Sequence, residues 1–139
     1  MERRYLLDTQ TVVFFFSDWQ ELMRNVQEIL EDYNNLFYVS TTTVKEIIHL
    51  YNSGRIKVKK WKTAADILPA IKAAYFELLP VKEEHLATYA ALTTQKGHND
   101  PNDHIVISQA LTEQIILISS DHRFKQYLSQ KLRLIFNKR

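Results

Sequence analysis

The sequence predicts an α/β fold, a mainly parallel central sheet of four to five strands flanked on both faces by helices. Two observations carry this. Short apolar runs, among them Tyr5-Leu6-Leu7, Phe37-Tyr38-Val39 and Ile115 to Ile118, alternate with longer segments whose apolar residues recur at helical spacing. No repeat, low-complexity tract or linker interrupts the 139 residues, so 1–139 is read as a single domain.

Taken in order, Tyr5-Leu6-Leu7 is a buried strand ending at Asp8. Thr11 to Tyr33 is helix-like, with a break near Ser17-Asp18 where an N-cap starts a second helix. In that second helix Leu22, Val26, Ile29 and Leu30 keep one face apolar. Phe37-Tyr38-Val39 is the second strand. Ser40 or Thr41 then caps a helix carrying Val44, Ile47, Ile48 and Tyr51, which ends at Asn52-Ser53-Gly54. Ala64 to Ala74 is helical, and Pro69 inside it predicts a kink or a late start. Tyr75 to Leu79 is a third strand, stopped by Pro80. Glu83 to Gln95 is a helix, followed by a polar loop through Gly97 and Asn99. Pro101 opens a helix to about Thr112, and Ile115 to Ile118 is the most apolar strand. Asp121 to Leu128 is a short helix and Leu132 to Phe136 a last strand.

Composition narrows the chemistry. The absence of cysteine excludes a disulfide framework, a thiolate zinc site and a cysteine nucleophile, and agrees with a reducing compartment. No segment approaches the ~18 apolar residues that span a bilayer. The run Val12 to Phe16 is too short for a signal-peptide core, so a cytoplasmic, unprocessed protein is expected. A net charge of +2 does not by itself announce nucleic acid. Gly54 and Gly97 are the only glycines, which rules out a glycine-rich phosphate loop. No serine sits in a nucleophile-elbow pattern. An aspartyl-phosphate phosphatase wants a second acid two residues after Asp8, where Gln10 stands. His49, His85, His98, His104 and His122 lack metal-ligand spacing. Of these, His98 and His104 flank the acidic segment and are candidates for touching phosphate.

Four acids remain. Asp8 ends the first strand and Asp121 follows the fourth, so both belong to the carboxyl edge of a parallel sheet, where such folds bind ligands. Asp103 opens the helix that feeds the fourth strand, and that helix must begin at the same edge. Glu46 lies in the second turn of the helix leaving the second strand. At 100° per residue it points away from Val44, Ile47, Ile48 and Tyr51 and shares a face with Thr42, Thr43 and Leu50. The four converge on one cleft provided the first and fourth strands are neighbours. Clustered carboxylates repel and take up protons unless a hard cation with oxygen ligands compensates them. Mg²⁺ or Mn²⁺ suits such a set better than zinc, and phosphodiester hydrolysis is the chemistry that follows. Taken singly, each acid has a plainer role. Asp8, Asp100 and Asp121 each read as helix caps, Asp103 as a dipole-favoured acid in a first turn, and Glu46 as a solvated helix residue.

The chain resembles the PIN-domain family and, in size and layout, the VapC-type toxins of bacterial toxin–antitoxin pairs. The matching segments are Tyr5-Leu6-Leu7-Asp8-Thr9, Val44-Lys45-Glu46-Ile47, Ser119-Ser120-Asp121 and His98-Asn99-Asp100-Pro101-Asn102-Asp103, the last followed by Ile105 and Ala110. The resemblance implies a PIN-like three-layer domain and a Mg²⁺- or Mn²⁺-dependent endoribonuclease. Asp8, Glu46, Asp103 and Asp121 would be its catalytic and metal-binding acids. Thr9 and Ser119 would help to hold metal-bound water or phosphate, and Asp100 would support the site. His104 stands where the family often has arginine, which puts that position's role in doubt. The resemblance also implies an RNA substrate, a homodimer, and a small antitoxin lying across the first helices. Val12 to Phe16, apolar on every face, is the candidate surface for it, with burial in the core as the plainer reading.

The segment Arg55-Ile56-Lys57-Val58-Lys59-Lys60-Trp61-Lys62 interleaves cations with apolar residues. It could follow an RNA backbone with Trp61 stacking on a base, or be a solvated charged loop. Arg133, Lys138 and Arg139 are equally ambiguous. The competing class of function is a non-catalytic PIN-fold module that binds RNA or protein without cleaving.

Overall fold

The computed structural model describes residues 3–139. Five strands form one sheet: β1 (Arg4–Leu7), β2 (Leu36–Ser40), β3 (Glu77–Leu79), β4 (Ile116–Ser119) and β5 (Leu134–Phe136). Their order is β3-β2-β1-β4-β5, and every neighbouring pair is parallel. The helices are α1 (Thr9–Ser17), α2 (Arg24–Glu31), α3 (Thr41–Asn52), α4 (Ile67–Ala73), α5 (Glu83–Ala91) and α6 (Pro101–Glu113), with a 3₁₀ helix over His122–Gln130.

Strand alternation builds two cores. Tyr5 and Leu7 of β1 and Ile116 and Ile118 of β4 pack into one, with Val12 of α1, Val26 of α2, Ile47 of α3 and Ile71 of α4. Leu6 and Leu117 point to the opposite face and meet Ile107 and Ala110 of α6, Phe124 and Tyr127. The result is a three-layer α/β arrangement whose central strands are buried on both faces, which is why they read as unbroken apolar runs.

The chain leaves β1 toward β2 and β3 through α1–α4 on one face. It returns to β4 through α5 and α6 on the other. The order therefore reverses between β1 and β4, which pair with Leu7 opposite Ile118. This is the adjacency that convergence of Asp8 and Asp121 requires, at the position where open parallel sheets bind ligands.

Several element boundaries depart from the sequence expectation. Asp18 makes no side-chain cap and opens only a 3₁₀ turn, Trp19–Glu21, so α2 begins later, at Arg24. Pro69 gives the late start. A 3₁₀ turn over Ala64–Asp66 precedes α4, which then carries the proline in its first turn. Tyr75 takes a left-handed φ of 63° just past α4 and so shortens β3 to Glu77–Leu79. The helix from Glu83 ends at Ala91 rather than Gln95.

Two proposed surfaces prove to be interior. Val12, Val13 and Phe14 are buried, and the half-buried Phe15 and Phe16 pack on Phe76 and Trp61. Helix α1 is apolar all round because its own chain covers it, which removes this run as an exposed antitoxin surface. Trp61 is buried between Phe16 and Tyr51, with ring centroids 5.4 and 6.1 Å away, so it offers no face to a base. Among the described residues no helix is long and apolar enough to cross a membrane.

Candidate metal centre

A cleft of about 420 Å³ opens at the carboxyl edge beside β1 and β4. Asp8, Thr9, Glu46, Asp100, Asp103 and Asp121 all line it. Thr42, Thr43 and Leu50, the residues expected to share a helix face with Glu46, line it too.

Each acid is placed by local chain geometry. Asp8 caps α1, its Oδ1 accepting from the Thr11 amide at 3.0 Å and the Thr11 hydroxyl at 2.8 Å. The same hydroxyl lies 3.1 Å from the Ile118 carbonyl oxygen, which ties the cap to β4. Asp100 caps α6 through the Asn102 amide at 2.9 Å, Pro101 follows at the first helical position, and Asp103 sits in the first turn. Asp121 caps the 3₁₀ helix by accepting from the Arg123 amide at 2.9 Å. Ser40 caps α3, and Glu46 one turn on accepts a hydrogen bond from the Thr9 hydroxyl. The residues that cap these helices also line the cleft, so the plain reading of each as a cap leaves room for a role at the site.

Ser119 is fully buried and does not line the cleft. Its hydroxyl accepts from the Asp121 amide at 3.0 Å and hydrogen-bonds Asp8, so it braces two of the acids rather than meeting solvent or phosphate. His98 and His104 are also buried and cannot reach a phosphate. The Nε2 of His104 bonds the His98 carbonyl at 2.8 Å, so this side chain is engaged inside the fold.

The electrostatics register the crowding. Burial raises the Asp8 carboxyl above its usual range, against hydrogen bonds from Ser119 and Thr11 that lower it. Asp103 is pushed up to about 8, by burial first and then by Asp100, Glu46, Asp121 and Asp8. Asp121 goes the other way. Burial acts upward on it, but hydrogen bonds from the side chain and backbone of Arg123, with its charge, outweigh that. Arg123, absent from the sequence reading, grips Asp121 through Nε and Nη2, with a shortest contact of 2.7 Å, and its Nη2 lies 3.8 Å from Asp103. An arginine two residues after a capping aspartate was the available signal. Burial, then the Arg123 charge, hold His98 below the usual imidazole range, so it is neutral near pH 7.

The PIN domain family model matches residues 5–128. The chain belongs to the PIN domain family. No curated protein matches the sequence. Among solved structures, this PIN domain is similar to VapBC2 from Rickettsia felis bound to a promoter DNA fragment, at 20% identity and TM-score 0.69, covering 97% of this chain and 99% of that one. It is also similar to DNA-bound VapBC from Salmonella typhimurium, at 15% identity and TM-score 0.67 over 96% and 98% of the two chains. FitAcB from Neisseria gonorrhoeae matches at 19% identity and TM-score 0.63 over 96% of each. At these identities the likeness shows the fold.

The donor set of this PIN domain suits a hard divalent cation, being all carboxylate with a buried, unpartnered Thr43 hydroxyl in the cleft wall. Among the described residues no three acids or histidines yet sit close enough to hold one ion together. Each acid is drawn to its own donor instead: Asp121 to Arg123, Asp103 to His98, Glu46 to Thr9. Positive charge is what would draw them inward.

Proposed function

We propose that this PIN domain is a divalent-metal-dependent endoribonuclease, acting as the toxin of a type II toxin–antitoxin pair. One observation carries the reading. Asp8, Glu46, Asp100, Asp103 and Asp121 come from four separate stretches of the chain and line one cleft, a crowding of carboxylates that a cation would relieve. Asp8, Asp103 and Asp121, with Glu46, would hold Mg²⁺ or Mn²⁺. When bound there, such an ion would offset charge on a phosphodiester and lower the pKa of a water.

The chain's own residues supply the rest. Thr9 orients Glu46, Ser119 braces Asp8 and Asp121, and Asp100 fixes the start of α6. Cations stand near the acids. Arg123 and Arg139 line the cleft, while Lys45 and Arg55 line an adjoining hollow that shares Glu46, Leu50 and Asn102 with it. A polyanion lying across the cleft and the hollow would meet positive charge in both. The similar VapBC and FitAcB structures support a small antitoxin partner, and a homodimer in the cytoplasm belongs to the same reading.

A non-catalytic module that binds RNA or protein is the second reading, favoured by the separation of the acids. The test is incubation of antitoxin-free protein with RNA and Mn²⁺, then with chelator. We expect cleavage that chelator abolishes and Asp8→Asn lowers by at least about 100-fold. No cleavage of any RNA, together with unchanged toxicity of Asp8→Asn, would overturn the enzyme reading.

A further inference from the structure

We propose that Tyr127 and His98 are positioning residues, forming a one-way hydrogen-bond relay that fixes the Asp103 carboxylate at the edge of the cleft. The relay's purpose rests on the reading of the cleft as a cation site; its geometry does not.

The relay runs from the core outward. Tyr127 and His98 are both fully buried. The Gln95 backbone amide donates to the Tyr127 hydroxyl oxygen at 3.2 Å. A peptide N–H can only donate, so the phenol accepts there and keeps its own hydrogen to give. The His98 Nδ1 lies 2.9 Å from that hydroxyl and receives it. A neutral imidazole that accepts at Nδ1 carries its hydrogen on Nε2. Nε2 stands 3.0 Å from Asp103 Oδ2 and donates to it. The opposite tautomer would strand a buried phenolic hydrogen.

The imidazole cannot turn away. Phe124, Tyr127 and His104 surround it with ring centroids 5.7, 5.4 and 4.9 Å distant. His104 pins its backbone carbonyl at 2.8 Å, and Ser108 in turn donates to the His104 carbonyl at 2.7 Å. One oxygen of Asp103 is thereby committed to His98, while the other remains for the cleft. Without this donor, Asp103 would be free to swing toward Arg123, whose Nη2 is 3.8 Å away. Outer hydrogen bonds of this kind orient metal-binding groups, and their loss costs roughly 10–100-fold in metal affinity or activity.

Two measurements on the full chain test the relay. The first is long-range ¹H–¹⁵N NMR of the metal-free protein at pH 9, alkaline to an ordinary imidazole, which reads the His98 tautomer directly. The hydrogen is expected on Nε2, and finding it on Nδ1 overturns the proposal. The second is Mn²⁺ affinity by calorimetry. His98→Asn keeps a polar group near Nδ1 but cannot reach Asp103, and should weaken Mn²⁺ binding by about 10–100-fold. His98→Gln places an N–H near the Nε2 position and should restore most of the affinity. If His98→Asn does not fold, Tyr127→Phe keeps the ring and removes only the hydroxyl, and about tenfold weaker binding is expected. Unchanged Mn²⁺ affinity in a folded variant, or no rescue by glutamine, overturns the relay. An Nε2 hydrogen in a wild-type protein that binds no Mn²⁺ leaves the bonding pattern standing but overturns its purpose, together with the cation-site reading.

Discussion

Asp103 is held between opposed demands. Burial and the surrounding acids favour its neutral form, while a hydrogen bond from His98 favours the carboxylate. Asp8, raised by burial, shares the first tendency. Both groups keep protons in the folded protein at pH values where the unfolded chain has lost them. Between the ordinary carboxylate range and about pH 8, the stability of the metal-free protein therefore falls as pH rises. Asp121 is lowered instead, so its contribution disappears only at the acid end, while His98, held below the usual imidazole range, adds stability as pH rises past that range and offsets part of the larger Asp103 trend. Calorimetry in chelator should give a lower Tm at pH 8 than at pH 5, with Mn²⁺ restoring it at pH 8. A Tm that is level or rising across that window would contradict the electrostatic account. Asp8, Asp100, Asp103 and Asp121 were legible in the sequence because residues that cap helices, or stand in their first turn, at a parallel sheet's edge are the ones that face its cleft. Tyr127 was not legible, because nothing in one sequence tells which partner a buried hydroxyl finds six residues past a capping acid.

At the scale of elements, periodicity served well where one face dominates. The orientation of Glu46 followed from the apolar stripe of α3, and the cleft holds the whole face assigned to it. Periodicity left a choice where the chain covers itself. Helix α1, apolar on every face, reads as a partner surface or, more plainly, as core, and Phe76 and Trp61, far along the chain, pack on it and decide for the core. The loop carrying Trp61 was open for the same reason. Its lysines are exposed, but its tryptophan and Val58 anchor it to the core. Trp61→Ala should accordingly cost about 3–5 kcal/mol in a urea melt and leave RNA affinity per folded molecule unchanged. A variant of near-normal stability that loses RNA would return Trp61 to the role of a stacking platform.

At the scale of the whole molecule, the topology does the assembling. The segments bearing Asp8, Glu46, Asp103 and Asp121 are far apart in sequence, and they meet because β1 and β4 pair at the reversal of strand order. The alternation of strands and helices made this arrangement readable in outline. The β1–β4 pairing had to be assumed, because strand order depends on which crossover covers which face. Arg123 was missed at this scale too, since its bond to Asp121 and its approach to Asp103 bridge two segments that only the fold joins. The proposed cation site at this edge draws on all four of these segments. An anomalous difference map from a Mn²⁺-soaked crystal tests it most directly. A peak is expected, bounded by Asp8, Asp103 and Asp121 with Glu46 beside it, and Arg123 withdrawn from Asp121. No peak at full Mn²⁺ loading, or a peak away from these residues with Arg123 still bound to Asp121, would contradict the proposed site.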